Sequence, residues 1–276
     1  MQNSLSGSRE GFKRVVEWFK EFDSCIVAFS AGVDSSLLAH AARKALGDRA
    51  YAVTSRSASF SLVERQTTDL MAREIGIELI VVEQDDLASE NYARNNVDRC
   101  YFCRNNLANA IAPVARKLGV KVCVDGTHVD DLKSPRPGIK ALREASFRAP
   151  LVELGFGKES VRSIARDVGL SNWDRPSEAC LSSRIAFGQR IDSVTLSRIE
   201  EAEFITKRIT GARIVRVRTI GTNAVVELDT EHVQVGVSKV GEIDKALKAL
   251  GYDKVEIDKE GYVSGKMLSL FIQDRS

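Results

Sequence analysis

The sequence predicts an α/β protein, a doubly wound parallel sheet followed by a second, smaller α+β domain. Three observations carry that prediction. Short continuous apolar runs alternate with segments of helical apolar periodicity as far as residue 124, the order that builds a parallel sheet covered on both faces. A small polar loop, Ser30-Ala31-Gly32-Val33-Asp34-Ser35-Ser36, stands between the first such run and the periodic segment after it. Near Gly188 the texture changes to helices and short strands, too little chain for another wound sheet, so domains over 1–188 and 189–276 are expected.

Taken in order, Phe12, Val15, Val16, Phe19 and Phe22 recur at helical spacing and predict an amphipathic helix over 7–22. The run 25–29 reads as a strand buried on both faces. Leu37, Leu38, Ala41, Ala42 and Ala45 then continue as a helix to Gly47, with Asp34 or Ser35 placed to cap its start. A strand over 50–54, small polar residues over 55–61, a helix over 62–75 and a strand over 78–82 follow. Residues 85–98 are polar and irregular, 100–118 is a helix, and 121–124 is a fourth strand ended by Asp125-Gly126-Thr127. Ligands of a wound sheet sit beyond the carboxyl ends of its strands, where the loops at Ser30, Ser55 and Gly126 all fall. Residues 130–149, with Pro135, Pro137, Gly138 and five basic residues, read either as a mobile loop over a site or as a solvated connector. Residues 157–169 form a helix with Lys158, Arg162 and Arg166 on its surface, and 171–189 is a loop. The tail reads as a helix over 193–209, strands over 213–219 and 224–228, a helix over 240–250 and a strand over 254–257.

The strand, loop and helix around Ser30 form a phosphate cradle. Backbone N–H groups and the positive end of the helix dipole converge there, and Ser30, Ser35 and Ser36 add hydroxyl donors. Asp34 is placed to hold a metal ion accompanying a polyphosphate. No Gly-Lys-Ser/Thr follows and no lysine lies inside the loop, which excludes a Walker A motif; the dinucleotide pattern Gly-x-Gly-x-x-Gly is absent as well. Gly32 is expected to let the backbone turn, and Ala31 to keep a negative φ.

Apolar residues at 43%, charged residues at 28% and a net charge of +2 describe an ordinary globular chain that does not require nucleic acid as a partner. No run of about 18 apolar residues and no signal-peptide layout occur, so a cytoplasmic protein without a membrane span is expected. Five cysteines, an odd number, argue for reduced thiols rather than a disulfide framework. Cys25 and Cys123 lie in apolar strands and read as small buried hydrophobes. Cys100 and Cys103 stand three apart at a helix start, flanked by Arg99 and Arg104. Cys180 lies in a polar loop between Arg175 and Arg184, where a thiolate is accessible. Two adjacent thiols and a distant third suit an iron–sulfur cluster with one iron open; a redox pair with a separate nucleophile, or unrelated surface thiols, remain open readings.

The Ser30 loop resembles the Ser-Gly-Gly-x-Asp-Ser loop of the PP-loop ATP pyrophosphatases, with Ala31 where that family has its first glycine. Together with Asp125-Gly126-Thr127, Arg136-Pro137-Gly138-Ile139-Lys140, Arg143-Glu144-Ala145 and the stretch from Pro176-Ser177 through Cys180 to Ser182-Ser183-Arg184, it makes nearly the whole chain similar to the LarE-type sulfur transferases. These sulfurise a pyridinium biscarboxylate mononucleotide on the way to the nickel-pincer nucleotide. The resemblance implies ATP and Mg2+, adenylation of a substrate carboxylate with pyrophosphate held by residues 30–36, and Lys158 and Arg143 as stabilisers of phosphate charge. Sulfur would be carried by Cys180, which some members sacrifice to dehydroalanine. Members with two further cysteines are thought to bind a [4Fe-4S] cluster, and Cys100 and Cys103 place this chain with them. Arg216 and Arg218 share one strand face and suit a substrate phosphate, the alternative being an exposed charged face; the resemblance adds Glu144, Glu203 and Glu227 as their neighbours, and a homo-oligomer formed through the tail. The sulfide donor is unknown. A tRNA thiolase, an amide-forming ligase of the same fold and a non-catalytic nucleotide-binding module are the competing readings; balanced charge, Cys180 and the three polar-context cysteines respectively count against them.

Overall fold

The computed structural model describes residues 2–133, 136–176 and 179–263, with side chains from residue 7 onward. Pro135 and Ser177, both used in the sequence reading, lie outside the described residues. The chain divides into two compact units, Met1–Asp85 with Cys100–Glu178, and Asp86–Arg99 with Ala179–Ser276.

The first unit is built on four parallel strands, β1 (Cys25–Ala28), β2 (Ala50–Arg56), β3 (Glu78–Glu83) and β4 (Val122–Val124), in the order β3-β2-β1-β4. Every residue of β1 is buried, as a strand paired on both edges and covered on both faces requires. Its side chains alternate between two cores. Cys25 and Val27 pack with α1 (Gln2–Phe19), α2 (Val33–Leu46), α3 (Leu62–Ile75) and α8 (Lys158–Asp167), whereas Ile26 and Ala28 pack with α5 (Arg99–Leu118). Strand order runs outward in both directions from the β1/β4 boundary, so the carboxyl ends of these two strands flank the crevice where such sheets bind ligands.

Helix α3 matches its expected span because Ser61 and Glu64 form a capping box, each accepting the other's backbone N–H. Three expectations change. Helix α1 ends at Phe19, short of Phe22. Strand β2 continues to Arg56 in register with Glu83, which puts Ser55 inside the strand rather than in the loop after it. Among the described residues of 130–149 much is regular: a 3-10 turn spans Val129–Lys133 and α6 covers Pro137–Glu144, with α7 following at Pro150–Glu153. Pro137 and Pro150 each open a helix at its first turn, where the fixed φ favours the helix and the missing N–H is not needed, so Pro137, expected in a loop, starts a helix instead.

The second unit pairs β5 (Val215–Ile220) antiparallel with β6 (Asn223–Leu228), and β6 parallel with β7 (Lys254–Ile257). Helix α9 (Ser193–Thr210) and α11 (Val240–Ala249) close its core through Ala202, Ile243 and Leu247 against Val217, Val226 and Leu228; the short α10 (Val233–Ser238) lies between the sheet strands in sequence. Segment 86–99, with its single helical turn α4 (Glu90–Ala93), packs in this unit. Glu90 is forked by Arg190 at 2.8 and 2.9 Å and bonded by Arg94 at 3.0 Å, and these donors hold its carboxyl down to about 2. A depressed folded-state value stabilises the protein above the unfolded value of 4.5 and loses that contribution as pH falls towards about 2. The melting-temperature difference between the wild type and Arg190→Met is therefore expected to be present at neutral pH and to vanish between these limits, a titration that thermal melts across the acid range will read.

Candidate active site

Helix α2 begins at Val33 with Gly32 as its N-cap and no side chain capping it. Neither Asp34 nor Ser35 caps the helix, so its first N–H groups stay available beyond the carboxyl end of β1, the arrangement that binds anions. The turn is made differently from expectation. Gly32 lies at φ −70°, which any residue adopts, while buried Ala31 lies at φ +54°. The left-handed conformation costs an L-residue roughly 1–2 kcal/mol, so the loop keeps its shape against a local preference. Asn172, a residue the sequence reading passed over, donates to the Ala31 carbonyl and to Ser36 Oγ, both at 2.9 Å. Ser36 is fully buried, and the Ser35 hydroxyl donates to the Gly32 carbonyl at 3.1 Å; Ser30 is the exposed hydroxyl of the loop.

Asp34 is half-buried. Its Oδ2 accepts from Lys158 Nζ at 2.6 Å, while Oδ1 is buried with no hydrogen-bond partner among the described residues. Lys158 is the first residue of α8, and its N–H donates to Asp130 Oδ2 at 2.8 Å. Hydrogen bonds from the Lys133 ammonium and the Lys158 N–H hold the Asp130 carboxyl below the usual carboxylate range. Gly157 makes room for that carboxylate, since a Cβ there would stand 2.6 Å from Asp130 Oδ2. Gly126, at the end of β4, lets two loops approach in the same way: a Cβ would lie 3.0 Å from Asp34 Cβ and 3.1 Å from the Ser35 nitrogen. The structure thus brings Asp34, Lys158 and Gly126 together at the start of α2.

Ser55 donates to Gln84 from within β2. Arg143 is exposed on α6, and Glu144, next to it, accepts from Tyr101 at 2.6 Å. Cys100 is exposed and Cys103 half-buried near the start of α5; none of the five cysteines is disulfide-bonded. Burial pushes the Cys25 thiol up to about 12 and that of Cys123 to about 11, which removes both from thiolate chemistry.

In the second unit Cys180 immediately precedes the 3-10 turn Leu181–Arg184. Arg184 is buried and folded inward. Its Nη1 donates to the carbonyls of Ala179 and Cys180 and to Ser183 Oγ, and its other nitrogens fork onto Glu203 at 2.8 and 3.2 Å. Glu203 also accepts the Val217 N–H at 3.1 Å. From the other side Tyr92 shares a hydrogen bond with Ser182 Oγ at 2.6 Å, and Arg99 donates to the Ser182 carbonyl at 2.9 Å. Arg216 and Arg218 are not an exposed charged face: both are buried. Arg216 stacks 5.4 Å from the Tyr262 ring centre, and Arg218 bridges Glu227 at 2.7 Å and the Ser183 carbonyl at 3.0 Å, with its Nε lacking a hydrogen-bond partner among the described residues. Arg184, Arg218, Glu203 and Glu227 therefore form one polar scaffold under the Cys180 turn.

Comparison with known proteins gives three full-length relatives. A protein of Synechocystis sp., slr1717, is 39% identical over 91% of this chain and 94% of its own length. The pyridinium-3,5-bisthiocarboxylic acid mononucleotide synthase of Lactiplantibacillus plantarum is 29% identical over 92% of each chain. MJ0830 of Methanocaldococcus jannaschii is 29% identical over 87% of this chain and 90% of its own. No family model matches the sequence.

Proposed function

The chain belongs to the family of its Synechocystis relative, and with the bisthiocarboxylic acid mononucleotide synthase among its full-length relatives we propose that it is a LarE-type, ATP-dependent sulfur transferase. Its substrate would be a pyridinium biscarboxylate mononucleotide, worked on in the cytoplasm. The observation that carries the reading is the uncapped start of α2 with Asp34 and Lys158 beside it, a site for a polyphosphate and its metal.

In the first half-reaction a substrate carboxylate oxygen bonds to the α-phosphorus of ATP, the α–β bridging bond breaks, and pyrophosphate leaves with that bonding pair. The N–H groups opening α2 receive the departing charge, with Lys158 Nζ able to exchange Asp34 for a phosphate oxygen. Asp34 fits Mg2+ because its buried Oδ1 is an oxygen ligand without a partner among the described residues. Such an ion would supply neutralising charge on the phosphates. Exposed Arg143 would add to the same field.

In the second half-reaction a sulfur nucleophile bonds to the acyl carbon and AMP leaves with the acyl–oxygen bonding pair. With the Cys180 thiolate as nucleophile the product is a thioester; loss of the Cα proton to solvent then forms the Cα–Cβ double bond, and the Cβ–S pair leaves on sulfur, giving the thiocarboxylate and dehydroalanine. Cys100 and Cys103, about one helical turn apart, would supply two ligands of a cluster and Cys180 a third, whereas buried Cys25 and partly buried Cys123 have thiols held in the neutral form. A [4Fe-4S] cluster so held would supply sulfide in place of the cysteine's own sulfur. Arg216 and Arg218, with Glu144, Glu203 and Glu227, would receive the mononucleotide, and the same reading includes a homo-oligomer formed through the tail, where Phe204 and Ile220 stand exposed.

The test is anaerobic purification followed by iron and acid-labile sulfide analysis, with turnover on ATP and the mononucleotide. About four of each per chain, lost in Cys100→Ala, is expected of one cubane cluster, together with substrate-dependent pyrophosphate release. Iron-free protein whose Cys180 loses sulfur in one turnover would overturn the cluster; ATP left intact with every carboxylate substrate would overturn the transferase itself.

A further inference from the structure

Ala31 and Asn172 form a matched pair. A left-handed residue without glycine's freedom persists only where its surroundings over-determine it, and Ala31, 3% exposed, has its carbonyl fixed by a side chain 141 residues away. Asn172 spends both hydrogens of its amide nitrogen on the loop: one bond ends on residue 31, ahead of α2, and the other on Ser36, at the end of its first turn. The amide spans the N-cap and ties the entry of the loop to the helix it opens. Its own orientation is informative. Asn172 is 4% exposed, and its Oδ1 is buried without a partner among the described residues. Turning the amide over would set that oxygen against the Ala31 carbonyl, two acceptors facing each other, so the donor side decides the orientation.

Resting on the ATP reading, we propose that Asn172 is a positioning residue for ATP, holding the Ala31 peptide left-handed so that the N–H groups opening α2 face the phosphates. It touches no reacting atom. What it supplies is the loop's shape before the nucleotide arrives, which alanine at residue 31 does not hold unaided.

A double-mutant cycle on the full chain tests this, read by the affinity for Mg2+–ATP and for inorganic pyrophosphate, and by melting temperature. Asn172→Ala is expected to weaken both ligands about ten-fold, the effect of a lost buried donor. Ala31→Gly alone, which permits the same φ without strain, supplies the reference affinity for the second arm of the cycle. In the Ala31→Gly background the loss on Asn172→Ala should fall below about three-fold, because glycine needs no clamp. An equal loss in both backgrounds, or a lower melting temperature with unchanged affinity, would overturn the proposal. If the wild type binds neither ligand, the ATP reading falls on its own. Non-additive melting temperatures between positions 31 and 172 would still support the clamp, and additive ones would refute it. Should Asn172→Ala fail to fold, Asn172→Ser takes its place in the same cycle.

Discussion

Cys180→Ala is expected to abolish thiocarboxylate formation, by about a thousand-fold or more, while leaving pyrophosphate release from ATP near the wild-type rate. The structure makes this substitution a clean one. What the scaffold grips at residue 180 is the backbone: Arg184 Nη1 and the Ser183 N–H both donate to the Cys180 carbonyl at 2.9 Å. Alanine keeps that carbonyl and the turn Leu181–Arg184 it begins, and removes only Sγ. Adenylation is assigned to the other unit, around Asp34 and Lys158, so the two half-reactions should separate in this variant. Quenched-flow assay of pyrophosphate beside mass analysis of the mononucleotide decides the matter. Equal loss of both products would make Cys180 a structural residue and dissolve the assignment of roles.

Much of the first unit was legible because buried parallel strands and the helices between them leave strong patterns. Cys25 to Ala28 is continuously apolar, and Ser61 with Glu64 marks a helix start three residues apart. Less legible were features that depend on long-range approach. Nothing near Asn172 signals that its amide reaches Ala31, and nothing in 86–99 signals that Tyr92 and Arg99 bond the turn after Cys180. Such contacts are set by tertiary geometry, which neither periodicity nor turn composition encodes. The angle at Ala31 misled for a related reason. Its residue type argues for negative φ, and only the packed loop shows that context overrides the preference. Arg216 and Arg218 were placed on one strand face by alternation, but alternation is silent about what covers that face, here Tyr262 and Glu227. Pro137 counts towards a loop by composition and yet opens α6, since the same residue type stops one helix and starts another.

Lys158→Met is expected to slow pyrophosphate release about 100-fold, the usual effect of removing one preorganised charge donor, with only a small fall in melting temperature. Three features hold the ammonium in place before any nucleotide binds. Asp130 accepts the Lys158 N–H, Gly157 leaves space for that carboxylate, and Asp34 Oδ2 draws the side chain to the start of α2. Methionine preserves the stem and its packing while deleting the charge. The ion pair itself adds little to stability, because its side chains are 31% and 20% exposed and water screens such pairs. A structural role and a catalytic one therefore predict opposite results. If Lys158 merely neutralises Asp34, Met spares the rate. If it stabilises charge developing on the departing pyrophosphate, the rate falls and the melting temperature hardly moves. Lys158→Arg sharpens the distinction, since a guanidinium restores charge to Asp34 but presents it as a planar fork in place of a compact point. Partial recovery of rate with Arg and none with Met would tie the effect to the positive charge rather than to the packing of α8.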